Sequence, residues 1–345
     1  MIILKNHSTS LFAFLTFTLK SNYLLFTYLL VPLLVEKYEN MAYLAPIFCF
    51  LITVVLFILL PKKMINIDYN KILDKSFIAK LSYYLTQVIS FFINASLVGY
   101  VIGKGFFSEN NILIFIISSI ALAVFISKSK LEVILNSSSF LLILAILLII
   151  FPLFLTNDVK DYSFLLPVGN FKGFDFILLL YFILDSITMV YSNVKMKRRI
   201  KKWDIFIPVS IMLLFMSLEL VNIIILTGTT YLKGNEFLGF FSLFIQDTIN
   251  YVGNLGLFFL YVIPVVGCFK AGFALRRVKD FLKVKESLFN DIIMFSISLF
   301  LVMFCINFLQ YQQVIYYLVI ISIPLLLIPY ILIIINRSPT YEIHF

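Results

Sequence analysis

Long runs of apolar residues alternate along the chain with short polar stretches, and the length of the runs is the first clue to what they form. A helix needs about 20 predominantly apolar residues to cross ~30 Å of hydrocarbon, and in lipid it satisfies its own backbone hydrogen bonds. Ten segments fit, near residues 11–34, 41–60, 77–102, 112–127, 138–155, 174–194, 207–227, 251–273, 290–309 and 314–335. The pattern predicts an all-α polytopic membrane protein with ten transmembrane helices, forming a single integral membrane domain over 1–345. The longest connections, around 61–76 and 228–250, are too small to hold a soluble core. Residues 236–250 are apolar but too short to span, so they are expected to lie in the outer interface or to re-enter.

Charge orients the bundle, because short basic loops stay cytoplasmic. With the N-terminus inside, 20 Lys and Arg fall on the cytoplasmic side, against five outside (Lys37, Lys104, Lys160, Lys172 and Lys233). A missed or invented span would invert every later loop, so this split favours ten spans with both termini cytoplasmic. The run Lys195-Met-Lys-Arg-Arg-Ile-Lys-Lys202 follows a span directly and reads as a topology determinant against anionic lipid rather than a nucleic-acid site. Lys5 ahead of an apolar run resembles a signal peptide, but the run is long, contains Lys20 and lacks an Ala-x-Ala-like site. A retained first helix is expected.

Composition narrows the class further. Of 345 residues, 62% are apolar and 13% charged, against roughly 45–50% and about 25% in soluble domains. A soluble enzyme is excluded. Cys49, Cys268 and Cys305 sit inside apolar runs and read as small core residues, while His7 and His344 lie near opposite ends. No metal site or cofactor is expected. Phosphate-loop, H-E-x-x-H and C-x-x-C motifs are absent, and Ser127-x-x-Lys130 lacks the partner motifs that would make it catalytic. No catalytic residue is assigned.

The informative residues are the ionisable ones inside spans, where a charge costs at least ~2.5–3.5 kcal/mol unless paired or facing a cavity. Four stand out: Lys20, Asp185, Glu219 and Lys270. Lys20, Ser21 and Asn22 form a polar interruption in the first span, and Asp185 with Ser186 forms one in the sixth. An ion pair between Lys20 and Asp185 would cancel most of the burial cost of either, as a structural bridge or as part of a site. Glu219 and Asn222 share a face of the seventh span. Lys270, close to the cytoplasmic end of the eighth, is placed to snorkel. Gln87, Ser90, Asn94 and Ser96 give the third span a partly polar face, suited to helix packing or to lining a path. Polar breaks in spans one and six match the plan of five-plus-five inverted repeats, with residues 11–155 as one repeat and 174–335 as the other, and a midplane site where the broken helices meet.

These features resemble the spore germination permease family, the permease-like subunit of the germinant receptors, within the amino acid–polyamine–organocation (APC) superfamily. The resemblance is carried by Phe164-Leu-Leu-Pro-Val168 ahead of the sixth span, by Phe182-Ile-Leu-Asp185 with Tyr191 and the basic run Lys195–Arg199, by Gly267-Cys-Phe-Lys270, and by Tyr69-Asn-Lys-Ile-Leu73 after the second span. The family's Gly-rich break in the first span is replaced here by Lys20-Ser21-Asn22. The resemblance implies a non-enzymatic subunit of the spore inner membrane that binds an amino acid-like small molecule between helices 1 and 6. It also implies hetero-oligomeric partners, the other germinant receptor subunits. Lys20, Ser21, Asn22, Asp185 and Ser186 would contact the ligand, with Glu219, Asn222 and Lys270 in coupling or structural roles. The alternative is a secondary active transporter of an amino acid or other small solute.

Overall fold

A computed structural model describes residues 9–20, 22, 25–60, 73–106, 112–139, 161–165, 173–192, 194, 201–232, 255–284, 286–308 and 311–335. Lys5, His7, Ser21, the side chain of Lys20, most of the fifth expected span, residues 166–168, the basic run 195–200, segment 236–250, Arg337 and His344 lie outside the described residues.

The described chain is helical and contains no β-strand. Its α-helices are α1 (Leu11–Lys20), α2 (Val31–Tyr38), α3 (Leu44–Leu59), α4 (Phe77–Phe106), α5 (Ile112–Ile126), α6 (Leu131–Ser139), α7 (Leu180–Thr188), α8 (Lys202–Leu232), α9 (Leu255–Leu282), α10 (Leu288–Phe308) and α11 (Tyr311–Ile335). Among the described residues, three helices are long and apolar enough to cross a membrane: Phe77–Gly103 of α4, Lys202–Leu226 of α8 and Gln313–Ile335 of α11. The number rises to five if two bent pairs each count as one span. These are Val31–Met41 with Leu44–Leu59, bent by 102°, and α5 with α6, bent by 116°. Large apolar side chains such as Ile58, Phe125 and Phe300 point outward, as lipid-facing residues do. The chain is an all-α integral membrane protein.

Helix α4 is the hub of the bundle, packing against α5, α9 and α11. Its seam with α5 depends on two small residues four apart, which share one helix face. A Cβ added at Gly99 would stand 2.4 Å from the Cα of Ile116, and one at Gly103 would stand 2.8 Å from the Cα of Ile112. Missing side chains let the backbones touch, which is how helices associate where lipid supplies no hydrophobic drive. The close approach lets the Ser119 hydroxyl donate to the carbonyl of Ala95 at 2.5 Å. Against α9, Tyr84 stacks on Phe281 with ring centroids 3.8 Å apart.

Helix α11 is tied to its neighbours through a proline. Pro329 has no N–H, so the carbonyl of Leu325 four residues earlier loses its intrahelical donor. The Ser82 hydroxyl of α4 donates to that carbonyl. Tyr191 donates to the carbonyl of Pro329 itself at 2.7 Å, and Tyr330 donates to Leu56 of α3 at 2.7 Å. Ser82→Ala should therefore cost about 1–3 kcal/mol by leaving a buried acceptor unsatisfied. A lower thermal unfolding midpoint, with Ser82→Thr closer to wild type than Ser82→Ala, is the expected measurement.

Polar contacts sort the connections into two groups, one at each end of the bundle. At one end Lys128 and Lys279 both bind Asp291, at 2.9 and 2.7 Å, Arg276 binds Glu286 at 2.5 Å, and Lys80 lies 5.3 Å from the Phe281 ring centroid. At the other, the Phe176 N–H donates to the Tyr38 hydroxyl at 3.2 Å, Asn40 donates to Leu165 at 3.5 Å, and the Asp161 N–H donates to Ile225 at 3.2 Å. The loops that carry most of the described basic residues thus share one end.

Candidate functional site

The first apolar run divides where its polar residues cluster. Helix α1 stops at Lys20, Asn22 lies in a turn, and helix resumes at Leu25 after the Asn22 carbonyl accepts the Phe26 N–H at 3.1 Å. The resumed helix opens with a π-turn, Phe26–Leu30, before α2. Ser and Asn compete for backbone hydrogen bonds, which makes them poor helix-interior residues, and π-turns recur at functional sites.

Asn22 is turned inward and buried. Its side-chain N–H donates to Oδ2 of Asp185 at 3.2 Å, across a separation of 163 residues. The same carboxylate oxygen receives the Lys270 ammonium at 2.5 Å. Asp185 and Lys270 are 3% and 2% exposed, so the pair is shut away from both solvent and lipid. Lys270 also faces the ring of Phe17 on α1, 5.9 Å from its centroid. Three parts of the chain, the break after α1, α7 and α9, therefore converge on one oxygen atom.

The ammonium found on Asp185 is that of Lys270; the expected pair with Lys20 lies outside the described residues. Two other expectations are corrected. Lys270 does not snorkel, because a buried carboxylate draws its head group inward. And α7 runs as a regular α-helix through Asp185 and Ser186. It ends at Thr188, passes through a 3-10 turn at Met189–Tyr191, and becomes extended at Ser192. The Asp185 side chain is engaged by Asn22 and Lys270 and so does not compete for its own helix backbone. Ser186 is buried, and its hydroxyl has no hydrogen-bond partner among the described atoms.

A second polar contact lies five residues further along the first run. Thr27, within the π-turn, donates to Oε1 of Glu219 on α8 at 3.2 Å. Asn222, one turn after Glu219 on that helix, is buried with its side-chain oxygen unpartnered among the described atoms. The two residues share a face as expected, but Glu219 meets the first run beside the Asp185 contact rather than within it. On α4, Asn94 and Ser96 donate back to their own helix at Ser90 and Phe92, at 2.8 and 2.6 Å. Gln87 instead reaches α9, accepting from Arg277 at 3.2 Å. Arg277, which the sequence places among the cytoplasmic cations, is buried, with its guanidinium 4.3 Å from the Tyr83 ring centroid. The signal for its burial is its position seven residues after Lys270, two turns along the same helix face.

Chemically, a carboxylate and an ammonium in a dry site can each recognise one end of a zwitterion. Cys49 and Cys268 are free and buried in the core. No cluster of metal-ligating side chains occurs among the described residues. Compared with protein-family models and with curated proteins, the chain matches none.

Proposed function

We propose that the chain is a permease-like, non-enzymatic membrane subunit that binds an amino acid-like small molecule near the middle of the bilayer and signals spore germination with partner subunits. In this reading it has ten spans in a five-plus-five inverted repeat, both termini cytoplasmic, in the spore inner membrane. What supports it is one observation: the buried Asp185–Lys270 pair meets Asn22 where the first apolar run leaves its helix. A ligand ammonium competes with Lys270 for Asp185, and the freed Lys270 takes the ligand carboxylate. Asn22 donates to the contested oxygen, so exchange of partners there acts on the junction between α1 and α2. Lys20 and Ser21 adjoin that junction, and Ser186 adds a hydroxyl. Such exchange biases the bundle only insofar as the ligand binds one arrangement more tightly than the other.

The test uses the purified full chain and the common L-amino acids, added one at a time, with thermal unfolding as readout. At least one is expected to raise the midpoint, and Asp185→Ala is expected to abolish the rise. A rise that persists unchanged in Asp185→Ala would sink the role of Asp185.

A secondary transporter is the second reading, favoured by the Lys270 ammonium, which sits against the carboxylate where a coupling cation would bind. Uptake of radiolabelled amino acid into proteoliposomes, abolished by collapsing the ion gradient, would select it over a sensor without net flux.

A further inference from the structure

Helix α9 turns Lys270, Phe273 and Arg277 inward along one face, and among these described contacts only Lys270 meets a carboxylate. Arg277 is 4% exposed. One guanidinium nitrogen donates to the neutral Gln87 amide at 3.2 Å, and the group lies over Tyr83 and Phe273, 4.3 and 5.5 Å from their ring centroids. Its second terminal nitrogen, Nη2, is buried with no acceptor among the described atoms. Asp280 lends part of its field, but its carboxylate is bonded to Arg276 at 3.0 Å. An arginine cannot shed its proton in a protein, and a buried cation is ordinarily paired. Arg277 therefore holds, at this point of the fold, a buried donor that no described acceptor answers.

Arg277 lines a cavity of about 220 Å³ at the end of the bundle where α4 begins and α9 ends, together with Lys80, Tyr84, Tyr191, Ser192 and Lys283. Two carboxylates also line it, and each is paired with a cation: Asp74 with Lys80 at 2.5 Å and Asp280 with Arg276 at 3.0 Å. Lys283 is exposed at the rim. The volume falls below the roughly 300–1,000 Å³ of pockets that enclose drug-sized ligands, so the space suits one compact group.

We propose that this cavity is an anion site for a phosphate group, with the fork of Arg277 as its buried anchor and Lys283 as its second cation. A planar guanidinium pairs with two oxygens at once, and a carboxylate so engaged has only the remaining lone pairs of those same two oxygens to offer a second cation. A phosphate retains oxygens for Lys283 and for the nearby hydroxyls. The same chemistry is offered by an anionic lipid headgroup and by a free or small-molecule phosphate. The site is separate from Asp185: Arg277 lies seven residues beyond Lys270, about 10 Å along the helix axis.

The test is thermal unfolding of the full chain in two arms. In neutral detergent, inorganic phosphate is titrated at constant ionic strength against chloride. In nanodiscs, phosphatidylglycerol is compared with phosphatidylcholine. A rise in midpoint with phosphate identifies a free anion as the ligand, and a rise only with phosphatidylglycerol identifies a lipid headgroup. Either supports the site if Lys283→Gln weakens the apparent affinity about 10-fold, the size expected for one charge-assisted contact. Arg277→Lys should do the same, and if that variant fails to fold, the surface substitution at Lys283 decides. No rise in either arm, or a rise of equal affinity in Lys283→Gln, overturns the proposal.

Discussion

Asp185→Ala is expected to cost about 3–5 kcal/mol, because it leaves the Lys270 ammonium buried with nothing to neutralise it. The pair is only 2–3% exposed and its separation is 2.5 Å, so neither solvent nor a surface position softens the loss. Lys270→Ala should be comparably damaging, since the orphaned charge is then the carboxylate, with Asn22 as its one described hydrogen-bond donor. The double substitution Asp185→Leu with Lys270→Met should recover most of the stability, because two apolar side chains of similar bulk replace two desolvated charges. Unfolding midpoints of the wild type, Asp185→Leu, Lys270→Met and the double variant form a double-mutant cycle, and a coupling energy of about 3 kcal/mol or more is the expected result. If the midpoints instead add, the pair is not an energetic unit. The double variant also separates folding from recognition: it should be stable yet give no response to an amino acid that stabilises the wild type.

The features legible in the amino-acid sequence are those that depend on near neighbours along the chain. Apolar run length marks the helices. Ser21 and Asn22 are residue types that disfavour a helix interior, and α1 stops beside them at Lys20. Asp185 stands out by the cost of burying it. What the sequence does not disclose is who answers whom. Asp185 is separated from Lys270 by 85 residues and from Asn22 by 163, and the cost of a buried charge says only that a partner is needed. Lys20 and Lys270 are equally eligible by that criterion. The helical conformation at Asp185 escapes a sequence reading for a related reason, since a polar side chain that finds its partners on other parts of the chain need not disturb its own backbone. Arg277 is hidden by its neighbours: in a run with Arg276 and Lys279 it reads as one more loop cation, whereas helix α9 carries it inside the bundle.

Among the described glycines, Gly99→Ala should be the most damaging substitution, costing about 3 kcal/mol or more, at or above the usual range for overpacking. The added Cβ would lie 2.4 Å from the Cα, 2.5 Å from Cγ1 and 2.6 Å from the backbone nitrogen of Ile116. A rotamer change relieves only the middle of these contacts. The partner substitution Ile116→Ala should therefore fail to rescue Gly99→Ala, although it would do so if the helices met through side chains alone. The remaining remedy is for α5 to move away from α4, which would break the Ser119 to Ala95 hydrogen bond and open the neighbouring contact at Gly103. Helix α5 is also held by Gly272 of α9, where a Cβ would lie 2.5 Å from Cγ2 of Ile126. That second constraint limits how far α5 can retreat, so the strain should pass into the packing of α9, the helix that carries Lys270. Thermal unfolding of Gly99→Ala with and without Ile116→Ala checks the backbone contact. A full recovery in the double variant would show that the seam between α4 and α5 is looser than these distances imply.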